Sequence, residues 1–489
     1  MDKLKYILII SIIISSFVEL QAKNSTKAII KDNMNISYRH FPSKASSLYQ
    51  ALTNGMFYGR LRTNSFFHTW ENEIKKEQED SYVVALGGSL IYKSAPYNGF
   101  SLGLGLYSSQ LPSSLNMSKE RIKYLENGLD FFNKTLINDT TLAYSDYSLN
   151  VLGQAYLSYR FKNNGIKIGR QLYESLFTSS DDINMVPNSF DGISWLNKSL
   201  RRTSIKVAYF TSQKLGSNQS SHDVITYKDK NGNIWRNNND RAIHKGLTYQ
   251  NFKAHNKDTN HALIIADMKS KIFNNSTFKL GFLAIPEVLQ DFVFEANYNI
   301  KLDDEWSIIP AIRYFNQMDS GGGDIAGETN LDGKPLTGYY SSVIGSLDSS
   351  LFAARVDLKH PKGYIRVGSS FVADKADIIA PWRAFPTEGF TRATGRYNWY
   401  SNTQSLMLEG MYKLSNSKLY AKYIIENYDE EKNVPSDSKI VQINFLKNFQ
   451  SFPNLYMKIC TTFTKDYPQS TDKADLSYNE YRLEFNYLF

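Results

Sequence analysis

The residues best placed to do chemistry in this 489-residue chain are arginines and lysines that recur at alternate positions opposite apolar side chains. Arg60 and Arg62 lie two apart, so in an extended chain both point the same way. Arg160, Lys206, Arg313, Arg355, Lys359, Arg366, Lys422, Lys458 and Arg482 also fall opposite apolar faces. Glu295, Asp357, Glu409, Glu426 and Glu484 do the same in smaller number. If these polar faces line water, the chemistry is electrostatic. Dispersed positive charge lowers the barrier for anions and for the carboxylate end of a zwitterion. For any single residue the alternative is simple pairing inside a wetted interior. The collective basic excess is the stronger signal.

Covalent and metal chemistry find no comparable support. The seven histidines, at 40, 68, 222, 244, 255, 261 and 360, are scattered without H-E-x-x-H spacing. No Gly-x-Ser-x-Gly elbow occurs. Gly321-Gly322-Gly323-Asp324 lacks the Lys-Ser/Thr of a phosphate loop and reads as a connection. No enzyme, catalytic residue, cofactor or metal is expected. The net charge of +8 contains no basic run or nucleic-acid module, so no nucleic-acid partner is expected either. Cys460 is the only cysteine, which excludes an intrachain disulfide and suits a small strand residue.

The elements that must carry these charges are short alternating strands. Tyr82, Val84, Leu86, Leu90 and Tyr92 share a face, as do Phe100, Leu102, Leu104 and Leu106. Val151, Ala155, Leu157, Tyr159 and Phe161 read as the apolar face of another strand, opposite Gln154, Tyr156, Ser158 and Arg160. Similar patterns run through Ile205–Tyr209, Phe292–Leu302, Trp306–Tyr314 and Leu455–Phe463. Tight connections at 303–305 and 360–363 alternate with long polar ones at 108–147, 211–260 and 316–349.

Lys3 and Lys5, an apolar run over Tyr6–Val18 and Leu20-Gln21-Ala22 read as a secretory signal peptide over residues 1–22. Beyond it no segment approaches the roughly 18 apolar residues of a spanning helix. Aromatics reach 14%, including 33 Tyr, within an overall hydrophobic content of only 42%. That balance fits strands with one lipid face and aromatic girdles. At about 9–11 residues per crossing, residues 23–489 accommodate roughly 16–18 strands as a single barrel domain. The last strand places Tyr481, Leu483, Phe485, Tyr487 and Phe489 on one face and Glu480, Arg482, Glu484, Asn486 and Leu488 on the other. Ending on the aromatic Phe489, it resembles the C-terminal assembly signal of Gram-negative outer-membrane barrels.

Two local stretches carry a more specific resemblance. IGRQLYESLFTSSDDINMVPNSFDG, residues 168–192, joins a Gly-Arg-Gln strand end to a polar segment with Pro187 and a Phe-Asp-Gly strand start. PWRAFPTEGFTRATGRYNW, residues 381–399, is rich in Trp, Pro-Thr and Thr-Arg. Both are similar to loops of the OprD-type family of substrate-selective outer-membrane porins. The resemblance implies an all-β, single antiparallel transmembrane barrel of about 18 strands, with an inward-folded constriction loop. It also implies passive diffusion of small carboxylate-bearing or amino-acid-like solutes across the Gram-negative outer membrane. Carried over, Ser179, Ser180, Asp181, Asp182 and Asp191 supply the acidic and hydroxyl side of the constriction, supported by Arg170. Arg60, Arg62, Arg313, Arg355, Arg366 and Arg383 form the basic ladder. Ile183-Asn184 departs from the family, which often places an Arg there. Implied partners are outer-membrane lipids, lipopolysaccharide, the barrel-assembly machinery and the solutes. Oligomeric state stays open. The rival reading is a non-conducting barrel that acts as an adhesin through its long loops.

Overall fold

The computed structural model describes residues 27–74, 79–118, 133–138, 141–180, 185–216, 218–226, 246–326, 343, 345–429, 431–432, 434–469 and 475–489. The expected signal peptide lies outside the described residues, as do Asp181 and Asp182.

Eighteen antiparallel strands close into one barrel. In chain order they begin with β1 Met56–Trp70, β2 Ser81–Lys93, β3 Phe100–Gln110, β4 Ser148–Phe161, β5 Asn164–Gln171 and β6 Ser189–Asn197. Next come β7 Thr203–Lys214, β8 Leu263–Ser270, β9 Ser276–Ile285, β10 Leu289–Tyr298, β11 Ser307–Asp319 and β12 Ser349–His360. The last six are β13 Gly363–Val372, β14 Gln404–Leu414, β15 Ser417–Asn427, β16 Ser438–Phe449, β17 Phe452–Asp466 and β18 Tyr478–Leu488. Ile300–Lys301 prolongs β10 along β11. Connections are short at the end that holds Phe489, the terminus end, and longer at the other, apart from the tight 286–288 turn between β9 and β10.

Closure joins β18 to β1 over eleven pairs, from Tyr478↔Trp70 to Leu488↔Arg60. Phe489 extends the seam by exchanging two backbone hydrogen bonds of 3.0 Å with Gly59. Its ring lies over that glycine, where an added Cβ would fall 2.1 Å from the phenyl Cζ. A closed barrel leaves no unpaired edge, which is the requirement for backbone in hydrocarbon. Among the described residues, no helix is long and apolar enough to cross a membrane.

Side chains alternate as the sequence pattern anticipates. In β18, Tyr481 stays 41% exposed on the outer face while Glu480 and Glu484 retain 1% and 3% on the inner one. One stretch departs from expectation. In β4 the pairing skips Gly153, with Gln154 opposite Gly105 and Leu152 opposite Leu106. The extra residue of a bulge reverses the faces beyond it. Val151 is therefore buried inside, and Leu152, not Val151, continues the outer face of Leu157.

The interior is filled by polypeptide as well as wall side chains. Residues 172–180, 185–188, 215–216, 218–226 and 373–403 pack inward around Phe177, Val224, Trp382, Phe390 and Trp399. At the terminus end, Ala28–Ile30 and Ile36–Tyr38 form a hairpin. It rests on inward-facing Tyr58, Tyr456 and Leu488.

Candidate permeation site

The inner wall places opposite charges directly across neighbouring strands. Lys279 faces Glu295, which faces Arg313 on its other side. Asp357 faces Arg366, Arg366 faces Glu409, and Glu409 faces Lys422. Side chains realise these pairings. Glu295 takes Lys279 Nζ and Arg313 Nη2, each at 2.6 Å. Asp357 receives Arg366 Nε at 2.6 Å and approaches Arg355 Nε at 3.8 Å. Glu409 lies 2.9 Å from Lys422 and 3.6 Å from Arg366. Tyr364 donates its hydroxyl to the same carboxylate.

Each carboxylate of this belt therefore sits between two bases. Five bases (Lys279, Arg313, Arg355, Arg366, Lys422) share three acids (Glu295, Asp357, Glu409), so pairing leaves the belt positive by two. The same motif recurs at the seam, where Glu484 is 2.7 Å from Arg62 and 3.4 Å from Arg60. Those two arginines are 3% exposed and brace the wall, Arg60 also donating to Asn486 at 2.7 Å. Lys206 and Lys269, inward positions opposite Asp267 and Lys279, extend positive charge along β7 and β8.

The inward segments cap this belt. Arg313 donates to the carbonyls of Pro386 at 2.7 Å and Glu388 at 3.0 Å, and Arg355 donates to that of Gly389. Both guanidiniums stack near Phe390, at 4.7 and 5.0 Å. Segment 172–180 meets segment 373–403 through Ser179 N–H to Trp382 O at 2.9 Å and a bridge between Thr178 and Arg383. Arg383 is thus part of an inward loop, at φ 72°, rather than of the wall. Arg392 lies over Phe385, Tyr397 and Trp399 at 4.7–5.5 Å, and burial pushes its guanidinium below the ordinary value. Burial likewise pushes the Tyr173 phenol up, with Asp267 adding to the rise.

The expected acidic side is placed differently. Ser179 and Ser180 are used within their own loop: Ser179 Oγ donates at 3.3 Å and Ser180 N–H at 2.9 Å to the Glu174 carboxylate. The acid they present is Glu174, which is exposed, as is Glu388 on the other inward loop. Glu174 was legible within the stretch 168–192 but carried no alternation to single it out. Arg170 and Asp191 are brought together, Nε to Oδ1 2.7 Å and Nη2 to Oδ2 3.1 Å. They share strand parity with Ile168 and Ile193, which are 55% and 42% exposed on the outer face. Ser212 and Ser221 close that cluster by hydrogen bonding to Asp191. Among the described residues, no group of His, Cys, Asp and Glu is arranged to hold a metal.

No family sequence profile matches the chain, and no curated protein is similar to it in sequence. Solved structures are similar in shape. OccAB3 of Acinetobacter baumannii superposes with a TM-score of 0.67 at 13% identity, covering 90% of this chain and 100% of that one. OccK8 (OprE) of Pseudomonas aeruginosa gives 0.66 at 11% identity over 90% and 98%. OpdK of the same organism, solved with vanillate, gives 0.63 at 12% over 90% and 99%. The barrel has the fold of the OprD family of outer-membrane porins. The structures that share this OprD-type fold are channels rather than enzymes.

Proposed function

We propose that the chain is an outer-membrane porin that lets small carboxylate-bearing or amino-acid-like solutes diffuse passively. The observation that carries this reading is the sharing of each belt carboxylate between two bases. Such a wall is locally satisfied yet net positive, so it holds its geometry while still attracting an anion. Partial exposure matters as well: the Lys279, Arg313, Arg355, Arg366 and Lys422 side chains keep 12–29% of their surface open. We take the exposed Glu174 and Glu388 of the inward loops as the acidic side of a transverse field that orients a zwitterion. OpdK was solved with vanillate, an aromatic carboxylate, which agrees with this solute class. Export through a signal peptide over residues 1–22, insertion by the assembly machinery through Phe489, and contact with lipid and lipopolysaccharide belong to the same reading.

The test is the reversal potential of the Arg355→Gln/Arg366→Gln variant in a dilute salt gradient. The proposal expects lower anion preference than the parent, with the difference shrinking as added salt shortens the screening length below the roughly 8 Å of physiological ionic strength. An unchanged reversal potential at low salt contradicts it.

A further inference from the structure

The hairpin at the terminus end places a carboxylate inside the barrel mouth. Met34 adopts φ 64° at its turn, and the Met34 N–H closes onto Lys31 O at 2.8 Å. This presents Asp32 towards β15. There Lys418 Nζ donates to both Asp32 oxygens at 2.7 Å, and Tyr420 Oη donates to Oδ2 at 2.6 Å. Lys418 and Tyr420 face inward, since the intervening Leu419 is 42% exposed on the outer side. They continue one strand face from Lys422 of the belt, stepping roughly 7 Å per two residues towards the mouth.

Beside this contact lies a cavity of about 310 Å³, within the usual range for small-molecule sites. Four of its lining residues are lysines (31, 413, 418 and 447), and Asp32 is its only acid. Ile30, Met34, Leu446 and Met457 add apolar surface. A lysine-rich, partly apolar cavity suits an organic carboxylate, and Asp32 is a carboxylate already in place. The ion pair is also displaceable. Its side chains are 37% and 47% exposed, and exposed pairs of this kind are weak.

We propose that Lys418 and Tyr420 anchor a carboxylate-binding site at the terminus-side mouth, which Asp32 fills as a tethered competitor. A solute carboxylate descending from the belt displaces Asp32 and rests there before leaving. This inference relies on the carboxylate reading above for its physiological ligand. The hairpin does not depend on Asp32 for its position. Tyr58 Oη donates to His40 O at 2.6 Å, Lys93 Nζ lies 3.3 Å above the Tyr38 ring, and Asn486 Nδ2 approaches Met34 Sδ at 3.8 Å.

Benzoate is the probe, used on the full-length folded protein by calorimetric titration and by interruption of bilayer current. Removing a competitor held at millimolar effective concentration, Asp32→Asn should tighten benzoate binding by about threefold or more. Adding Lys418→Gln or Tyr420→Phe to Asp32→Asn should abolish that gain, while heat-modifiability confirms an intact barrel. Equal benzoate affinity in parent and Asp32→Asn overturns the site, as does a gain that survives Lys418→Gln. The two readings fail separately. Current without an Asp32 effect removes the mouth site and leaves the porin. An Asp32-dependent titration without current keeps the site and removes the porin.

Discussion

At the scale of single residues, charge matters through the number of partners that share it. Glu295 lies between Lys279 and Arg313, so neutralising it strands two bases at once. Arg355 and Arg313 have a second duty, because both hold the backbone of the loop tip 386–389. Their exchange therefore acts on loop position as well as on potential. Glu174 accepts from Ser179 and Ser180 within its own inward loop but braces no wall strand, and it is exposed. Replacing it with Gln should shift the reversal potential towards anions without loss of folded barrel, and an unmoved potential would remove it from the permeation path. His222 offers a pH-dependent counterpart outside the spanning strands. Burial pushes its imidazole down to about 4, partly offset by Asp223. The unfolded segment takes up a proton near 6.5 while the folded one does not. Local stability should thus fall as pH drops from about 6.5 to about 4. Amide exchange over residues 221–226 should speed up in that window in the parent and much less in His222→Asn.

At the scale of elements, alternation was legible wherever the lumen is wet and illegible where it is dry. β18 reads cleanly, because Glu480 and Glu484 face a polar interior while Tyr481 and Leu483 face outward. In β8 both Ile264 and Ile265 are apolar, and Ile265 is fully buried against the inward loops. Loops folded into the barrel convert the upper lumen from water to core, so the two-residue period fades there. Lys279, by contrast, alternates with Phe278 and Leu280 beside the short 271–275 turn, so it was legible in the sequence. Arg170 and Asp191 were expected to supply and support the acidic side of the constriction; the structure pairs them with each other on the strand parity of Ile168 and Ile193, and one register step is enough to exchange faces. The same physics gives a paired prediction in β16. Ile443 is 40% exposed on the outer face, and Asn444 is the adjacent inward residue. Ile443→Lys should destabilise the barrel by about 2–4 kcal/mol near the midplane, with Asn444→Lys costing far less. Equal costs in a lipid refolding titration would refute the orientation.

At the scale of the whole molecule, the barrel is a closed wall with polypeptide packed inside it twice, from the inward loops and from the hairpin Ala28–Tyr38. Length and periodicity allowed roughly 16–18 strands, and the resemblance to the OprD-type family implied about 18 in a closed barrel. The hairpin was not legible in this way, because Ala28–Tyr38 is too short to separate from an ordinary leader segment by pattern alone. Phe489 adds the last backbone pair of the seam and covers Gly59, the observation behind its proposed part in assembly. Its deletion should reduce the amount of heat-modifiable barrel in the outer membrane while synthesis and export continue, and undiminished barrel would argue against that role.

The central claim is a water-filled, net-positive pore, and one recording tests it most directly. The purified protein is placed in a planar bilayer under a tenfold gradient of dilute potassium chloride. The account predicts discrete conductance steps and a reversal potential displaced towards chloride, with the displacement collapsing in concentrated salt. Absence of conductance from correctly folded barrel, or a reversal potential displaced towards potassium, would contradict it.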